Sequence, residues 1–209
     1  TAITITNSDF YSTAIAIPEK INGIPVTTIA QGAFSGRTNL KQVSIPDSVT
    51  SIDSSAFEYC KNISRIVLPK NLQTIGCFAF EGCTNLEYIN IPNNVTLIDA
   101  YAFSYCSNLS YITIPDSVMT VGFGAFDYCT NLKNVSIGKG VKKFGVSPFD
   151  DTNVIPDGVF FNCNNLSYIS VDAENKVYCS LEGNLFNKNK TELLQYARGR
   201  LNTEYSIPA

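Results

Sequence analysis

The side chains that could do chemistry in this chain are thiols, carboxylates and phenols, because histidine and tryptophan are both missing. Without imidazole there is no Ser-His-Asp or Cys-His nucleophile system and no His-ligated zinc or iron site. Acid–base work would fall to carboxylates, and the pairings worth testing are Glu81 with Glu87 and Asp150 with Asp151. Neither pair has an accompanying base, a cofactor loop or an apolar context that would tune a carboxyl pKa. A calcium site from Asp150, Asp151 and Asp157 has a spacing that matches no calcium loop, and a solvated turn accounts for it. The chain is read as a non-enzyme with no cofactor and no metal.

The thiols need a different account. Seven cysteines would ordinarily suggest a disulfide framework in an exported chain. Position overrules count, because Cys60, Cys83, Cys106 and Cys129 stand 23 residues apart and Cys163 keeps the same place three residues before Leu166. Side chains that recur at one place in stacked layers about 4.8 Å apart lie parallel and point inward, not at each other. A ladder of buried thiols acting as small apolar fillers is expected.

The same 23-residue step organises everything that must position these groups. Phe34, Phe57, Phe80, Phe103 and Phe126 form one column, and Leu40, Ile63, Leu86, Leu109 and Leu132 another. A fixed period of this length marks a solenoid whose units bury their apolar faces only by stacking. Within the unit around Leu86, Ile89 and Ile91 alternate with Tyr88 and Asn90 before Pro92, which is a short strand with two faces. Val95 to Ile98 make a second extended piece. The AFSYC stretch at Ala102 to Cys106 fits one short helical or 3₁₀ turn that sends Phe103 inward.

Two polar columns follow from the same register. Asn39, Asn62, Asn85, Asn108, Asn131 and Asn165 read as a structural ladder of buried carboxamides serving turn backbone groups. The glycosylation sequons at Asn62, Asn108 and Asn165 are set aside on that ground, leaving Asn94 and Asn189 as acceptors in a eukaryotic secretory pathway. The outward strand positions are Gln42, Arg65, Tyr88, Tyr111, Asn134 and Tyr168, with Ser44, Asn90, Thr113, Ser136 and Ser170 beside them. Tyrosine and arginine are frequent interface anchors, but exposed tyrosine also simply suits a β-surface, and both readings stand. A second tyrosine column, Tyr59, Tyr105 and Tyr128, covers apolar seams on another side or offers an alternative face.

Composition bounds the partners. A formal charge of -3 with 16% charged residues gives no electrostatic preference for nucleic acid or an anionic membrane. No apolar run approaches the roughly 18 residues needed to span a bilayer. The organisation expected is a single domain over 1–209, and a monomer. It comprises an N-terminal cap at 1–22, regular repeats over 23–145, an insertion loop at 146–156 and a last repeat at 157–172. A C-terminal hairpin cap and the start of a further repeat occupy 173–209. Thr1 at the start, and the Ile-Pro step recurring at the end, suggest a piece of a longer protein.

The unit AFxxCxNLxxIxIPxxVxxI, present as AFEYCKNISRIVLPKNLQTI, AFEGCTNLEYINIPNNVTLI and AFSYCSNLSYITIPDSVMTV, resembles the BspA-like class of leucine-rich repeats. The segments IPEKINGIPVTTIAQGAF and SLEGNLFNKNKTELLQYA look like recurring pieces of that family too. Departures are Arg37 for cysteine, Gly138 for the usual proline, the insertion, and Ala197 where the hairpin often has proline. The resemblance implies a right-handed curved superhelix, mostly β, with a parallel sheet of LxxIxI strands on its concave face. It also implies a surface or secreted protein that adheres to host matrix or other cells. The expected function is therefore a non-catalytic binding scaffold for a protein or glycan, and the alternative is a stalk that presents another domain.

Overall fold

In the computed structural model, which describes residues 12–146 and 158–199, each repeat makes one circuit of the backbone and lies on the one before it. The register shows this directly. The second extended piece of each unit is a strand: β4 (Thr28–Ile29), β6 (Ser51–Ile52), β7 (Thr74–Ile75), β8 (Leu97–Ile98), β10 (Thr120–Gly122) and β12 (Lys143–Val146). These form one six-stranded parallel sheet in which Thr28 faces Ser51, Ser51 faces Thr74, Thr74 faces Leu97, and Leu97 faces Thr120.

The LxxIxI pieces make the other parallel wall, in sections. β1 (Ala14–Ala16) pairs with β5 (Gln42–Ser44), and β9 (Tyr111–Ile114), β11 (Asn134–Ile137) and β13 (Tyr168–Val171) form a three-stranded sheet. Single bridges, Ser44 to Val67 and Arg65 to Tyr88, carry the same path through the coils between. Alternation sends Val43, Ile66, Ile89, Ile112, Val135 and Ile169 into the core.

Inside, the phenylalanine column is a stack of near-parallel rings, with centroids 5.3 Å apart for Phe57 and Phe80 and again for Phe80 and Phe103. Phe160 continues it onto Phe126 at 5.6 Å although 34 residues separate them, so the insertion leaves the layer spacing intact. One hydrophobic cluster runs from Ile17 to Leu194.

The AFSYC-type segment forms no helix. Alternate amides close short turns, as Ala56 N–H does to Asp53 O and Glu58 N–H to Ser55 O. The amides between them, on Phe57 and Tyr59, donate to Ala79 and Glu81 of the next coil at 2.8 and 2.7 Å. Two residues per coil are left-handed, four apart, at Ser55 and Tyr59, Phe78 and Gly82, Tyr101 and Tyr105. A helix cannot continue through such residues, and its amides are already committed elsewhere.

The ends are capped by hairpins. β2 (Lys20–Ile21) and β3 (Ile24–Pro25) are joined by Asn22-Gly23, both at positive φ, which is the two-residue turn that matches strand twist. At the other end β15 (Asn184–Asn187) and β16 (Leu193–Gln195) make the expected hairpin. A further strand, β14 (Tyr178–Leu181), widens it to an antiparallel meander. It docks through Ile169 N–H to Gly183 O and the edge-on contact of Tyr178 with Phe144. Ala197 N–H donates to Asn184 Oδ1 at 2.9 Å, a bond that proline could not make. The N-terminal alternation at Ile3 and Ile5, the loop residues Asp150, Asp151 and Asp157, and the final Ile-Pro step lie outside the described residues.

Candidate binding face

The outward strand residues stand side by side. Tyr111, Asn134 and Tyr168 face one another across β9, β11 and β13, Arg65 bridges to Tyr88, and the Tyr88 and Tyr111 rings lie 5.1 Å apart. Gln42, Arg65, Tyr111, Asn134 and Tyr168 are exposed and Tyr88 is half-buried. The second row, two residues on, holds Ser44, Asn90, Thr113, Ser136 and Ser170. It also holds Val67, which is 70% exposed. Sequence reasoning passed over Val67, although an apolar residue at an outward strand position was a visible signal.

An open groove of about 550 Å³ continues from this face over the strand ends of β9, β11 and β13. It is lined by Thr113, Ser136 and Ser170, by Asp116 and Asp172, and by Asn93 and Ser117. Asp116 Oδ1 accepts Lys139 N–H at 3.0 Å and Asp172 Oδ1 accepts Glu174 N–H at 2.7 Å. Neither aspartate stood out in the sequence.

The thiol column is buried and unpaired: Cys60, Cys83, Cys106, Cys129 and Cys163 are all free. Each thiol donates to the carbonyl of the phenylalanine one coil back, Cys83 to Phe57 at 3.2 Å and Cys106 to Phe80 at 3.2 Å. Burial pushes Cys60 and Cys163 up to about 12 and the three between them upward as well. A thiol held protonated this far above neutrality is neither a nucleophile nor a metal ligand.

The asparagine column corrects an expectation. Asn62, Asn85, Asn108, Asn131 and Asn165 are exposed and Asn39 half-buried, because each sits one residue before an inward Leu or Ile. They still link coils: Asn85 Nδ2 donates to Asn62 Oδ1 at 3.2 Å, Asn131 Nδ2 to Asn108 Oδ1 at 3.3 Å, and Asn165 Nδ2 to Thr130 O at 2.7 Å. Burial therefore gives no ground for setting aside the sequons at Asn62, Asn108 and Asn165.

The carboxylates also regroup. Glu81 lies beside Glu58 of the preceding coil, not Glu87. Burial first and the Glu58 charge second raise Glu81 to about 7. Burial raises Asp127 to about 6, against a backbone hydrogen bond from Tyr128. An apolar context does therefore exist here, contrary to the sequence-based expectation. The stacking places Glu81 over Glu58, while Asp127 lies two coils further on, beyond Ser104, and is raised by its own burial. Around them run the left-handed aromatics: Phe78 stacks on Tyr101 and Tyr105 on Tyr128, at 5.1 and 4.5 Å. Tyr59 lies over Gly82, leaving no room there for a Cβ.

The fold and this face define a repeat solenoid that offers side chains across a sheet and whose described residues bring together no metal-ligating group. The BspA-type leucine-rich repeat profile matches six copies over residues 3–71 and 27–155, so the chain belongs to that family. Leucine-rich repeats are generally non-catalytic and serve in protein binding or adhesion. A leucine-rich repeat protein of T. pallidum is 35% identical over 76% of this chain and 69% of its own, with a TM-score of 0.67. A leucine-rich cell surface protein of Faecalibacterium prausnitzii is 27% identical over 95% of this chain and 58% of its own, at 0.66. The pneumococcal vaccine antigen PcpA, 22% identical over 97% of this chain and 51% of its own at 0.63, shares the fold. No curated protein matches the chain. No helix among the described residues is long and apolar enough to cross a membrane.

Proposed function

We propose that the protein is a non-catalytic binding scaffold at the cell surface, adhering to a host or cell-surface macromolecule through its strand face. The observation that carries this is the register-locked row Arg65, Tyr88, Tyr111, Asn134 and Tyr168. Tyr111, Asn134 and Tyr168 are held side by side on paired strands, Arg65 is bridged to Tyr88, and the Tyr88 ring lies against Tyr111. Likeness to a cell surface protein of F. prausnitzii supports the location.

The test is a host-matrix and glycan array probed with the 209-residue chain and with an Arg65→Ala, Tyr88→Ala, Tyr111→Ala triple variant as control. Loss of binding with an unchanged melting transition is expected. Full retention of binding by the variant would shift the reading to a stalk or to another face.

A further inference from the structure

We propose that the groove at Thr113, Ser136 and Asp116 is a subsite for a neutral glycan, an inference that rests on the scaffold reading above and names its ligand class. One of the coils that line the groove departs from its neighbours. Four coils carry proline at one position, Pro46, Pro69, Pro92 and Pro115, and the fifth carries Gly138. A Cβ on Gly138 would come within 2.6 Å of Asp116 Oδ1 and 2.7 Å of Asp116 N, so no side chain fits. Gly138 N–H donates to Ile114 O at 2.8 Å, which proline could not do. Here one coil seats directly on Asp116 of the coil below, which helps to fix the floor of the groove.

What lines the space is graded across the sheet. Tyr111, Asn134 and Tyr168 give a band of rings and amide, Thr113, Ser136 and Ser170 a band of hydroxyls, and Asp116 and Asp172 a band of carboxylates. Thr113 and Ser136 are exposed and their hydroxyls bond no described residue, so they are available to a ligand. Asp116 and Asp172 each use one oxygen on a backbone amide and leave the other to accept. β11, at the centre of the groove, is paired on both edges, so a peptide could not extend it there. Recognition must come from side chains alone.

Hydroxyls that both donate and accept, carboxylate oxygens that accept, and flat rings beside them match a sugar, with vicinal hydroxyls on its rim and C–H groups on its face. The volume suits a small oligosaccharide. Charge selects which kind: two carboxylates repel an acidic sugar, and Lys139, the nearby cation, is held by Glu174 at 2.7 Å.

The experiment is saturation-transfer NMR and titration calorimetry on the 209-residue chain with cellohexaose, maltohexaose, N-acetyllactosamine and 3′-sialyllactose. At least one neutral sugar should bind and sialyllactose should not. Thr113→Val with Ser136→Val keeps the strands, and Asp116→Asn keeps the acceptor for Lys139. Each should weaken Kd roughly five- to tenfold with melting unchanged. Sugar binding indifferent to both variants, or preference for sialyllactose, overturns the subsite. Capture of a protein on the array through the strand face, with no neutral sugar bound, removes the glycan and leaves the scaffold. Silence in both assays removes both.

Discussion

Tyrosines stand on two sides of this solenoid with nearly the same exposure and on opposite kinds of backbone. Tyr111 and Tyr168 on the strand side are 46% and 50% exposed, and Tyr59 and Tyr105 on the turn side are both 45% exposed. The strand tyrosines sit on extended backbone, which suits an aromatic residue. The turn tyrosines sit at φ near 55°, a region that disfavours any side chain by roughly 1–2 kcal/mol. Their rings are held by the neighbouring coil, on Gly82 or on Tyr128. Exposure alone thus says little about what a surface residue is for. On the strand side identity is free to follow a ligand, whereas on the turn side it is bound up with how coils seat on each other.

The sharpest way to break that contrast starts from the row both sides share. Phe103→Ala, in the middle of the ring stack, should cost about 3–5 kcal/mol in urea unfolding. A loss below about 1 kcal/mol would mean the coils do not depend on a common interior. Next in size is Gly82→Ala on the turn side, which adds a Cβ under the Tyr59 ring at φ +67 and should lose roughly 1–2 kcal/mol. A neutral result would show the turn side to be as permissive as the strand side.

Glu81 sharpens the comparison through pH. Its proton is retained in the folded chain up to about pH 7 against an ordinary value near 4.5, so the unfolded chain binds fewer protons between those limits. Stability therefore falls as pH rises through that window and is flat on either side. Glu81→Gln should melt roughly 1–3 °C above the parent at pH 8 and level with it at pH 4. Equal melting at pH 8 would show that burying the Glu81 carboxylate beside Glu58 has no cost here. The smallest effect belongs to Tyr111→Ser on the strand side, expected within about 0.5 kcal/mol of the parent. A larger loss would place Tyr111 among residues that hold the coils together.

The layering was legible from Phe34 through Phe126 because each coil must present the same side chain to the same space, and that requirement prints a period. The outward strand row followed from alternation for the same reason. Alternation would also have corrected Asn39 and its counterparts, since each precedes an inward Leu or Ile. The left-handed positions were hidden because Gly32, Ser55, Phe78, Tyr101 and Gly124 look unrelated as residue types. What they share is a positive backbone φ, which the folded chain alone reveals. Gly138 was visible as a departure from proline. That the beneficiary is Asp116, 22 residues earlier, depends on how closely two coils approach.

The thiols joined to phenylalanine carbonyls have a bearing on how the protein matures. Because these sulfurs neither pair nor ionise, its interior assembles without an oxidation step and without any isomerase to sort partners. A reducing and an oxidising surrounding should therefore give the same packed thiol column, since none of its sulfurs needs a partner.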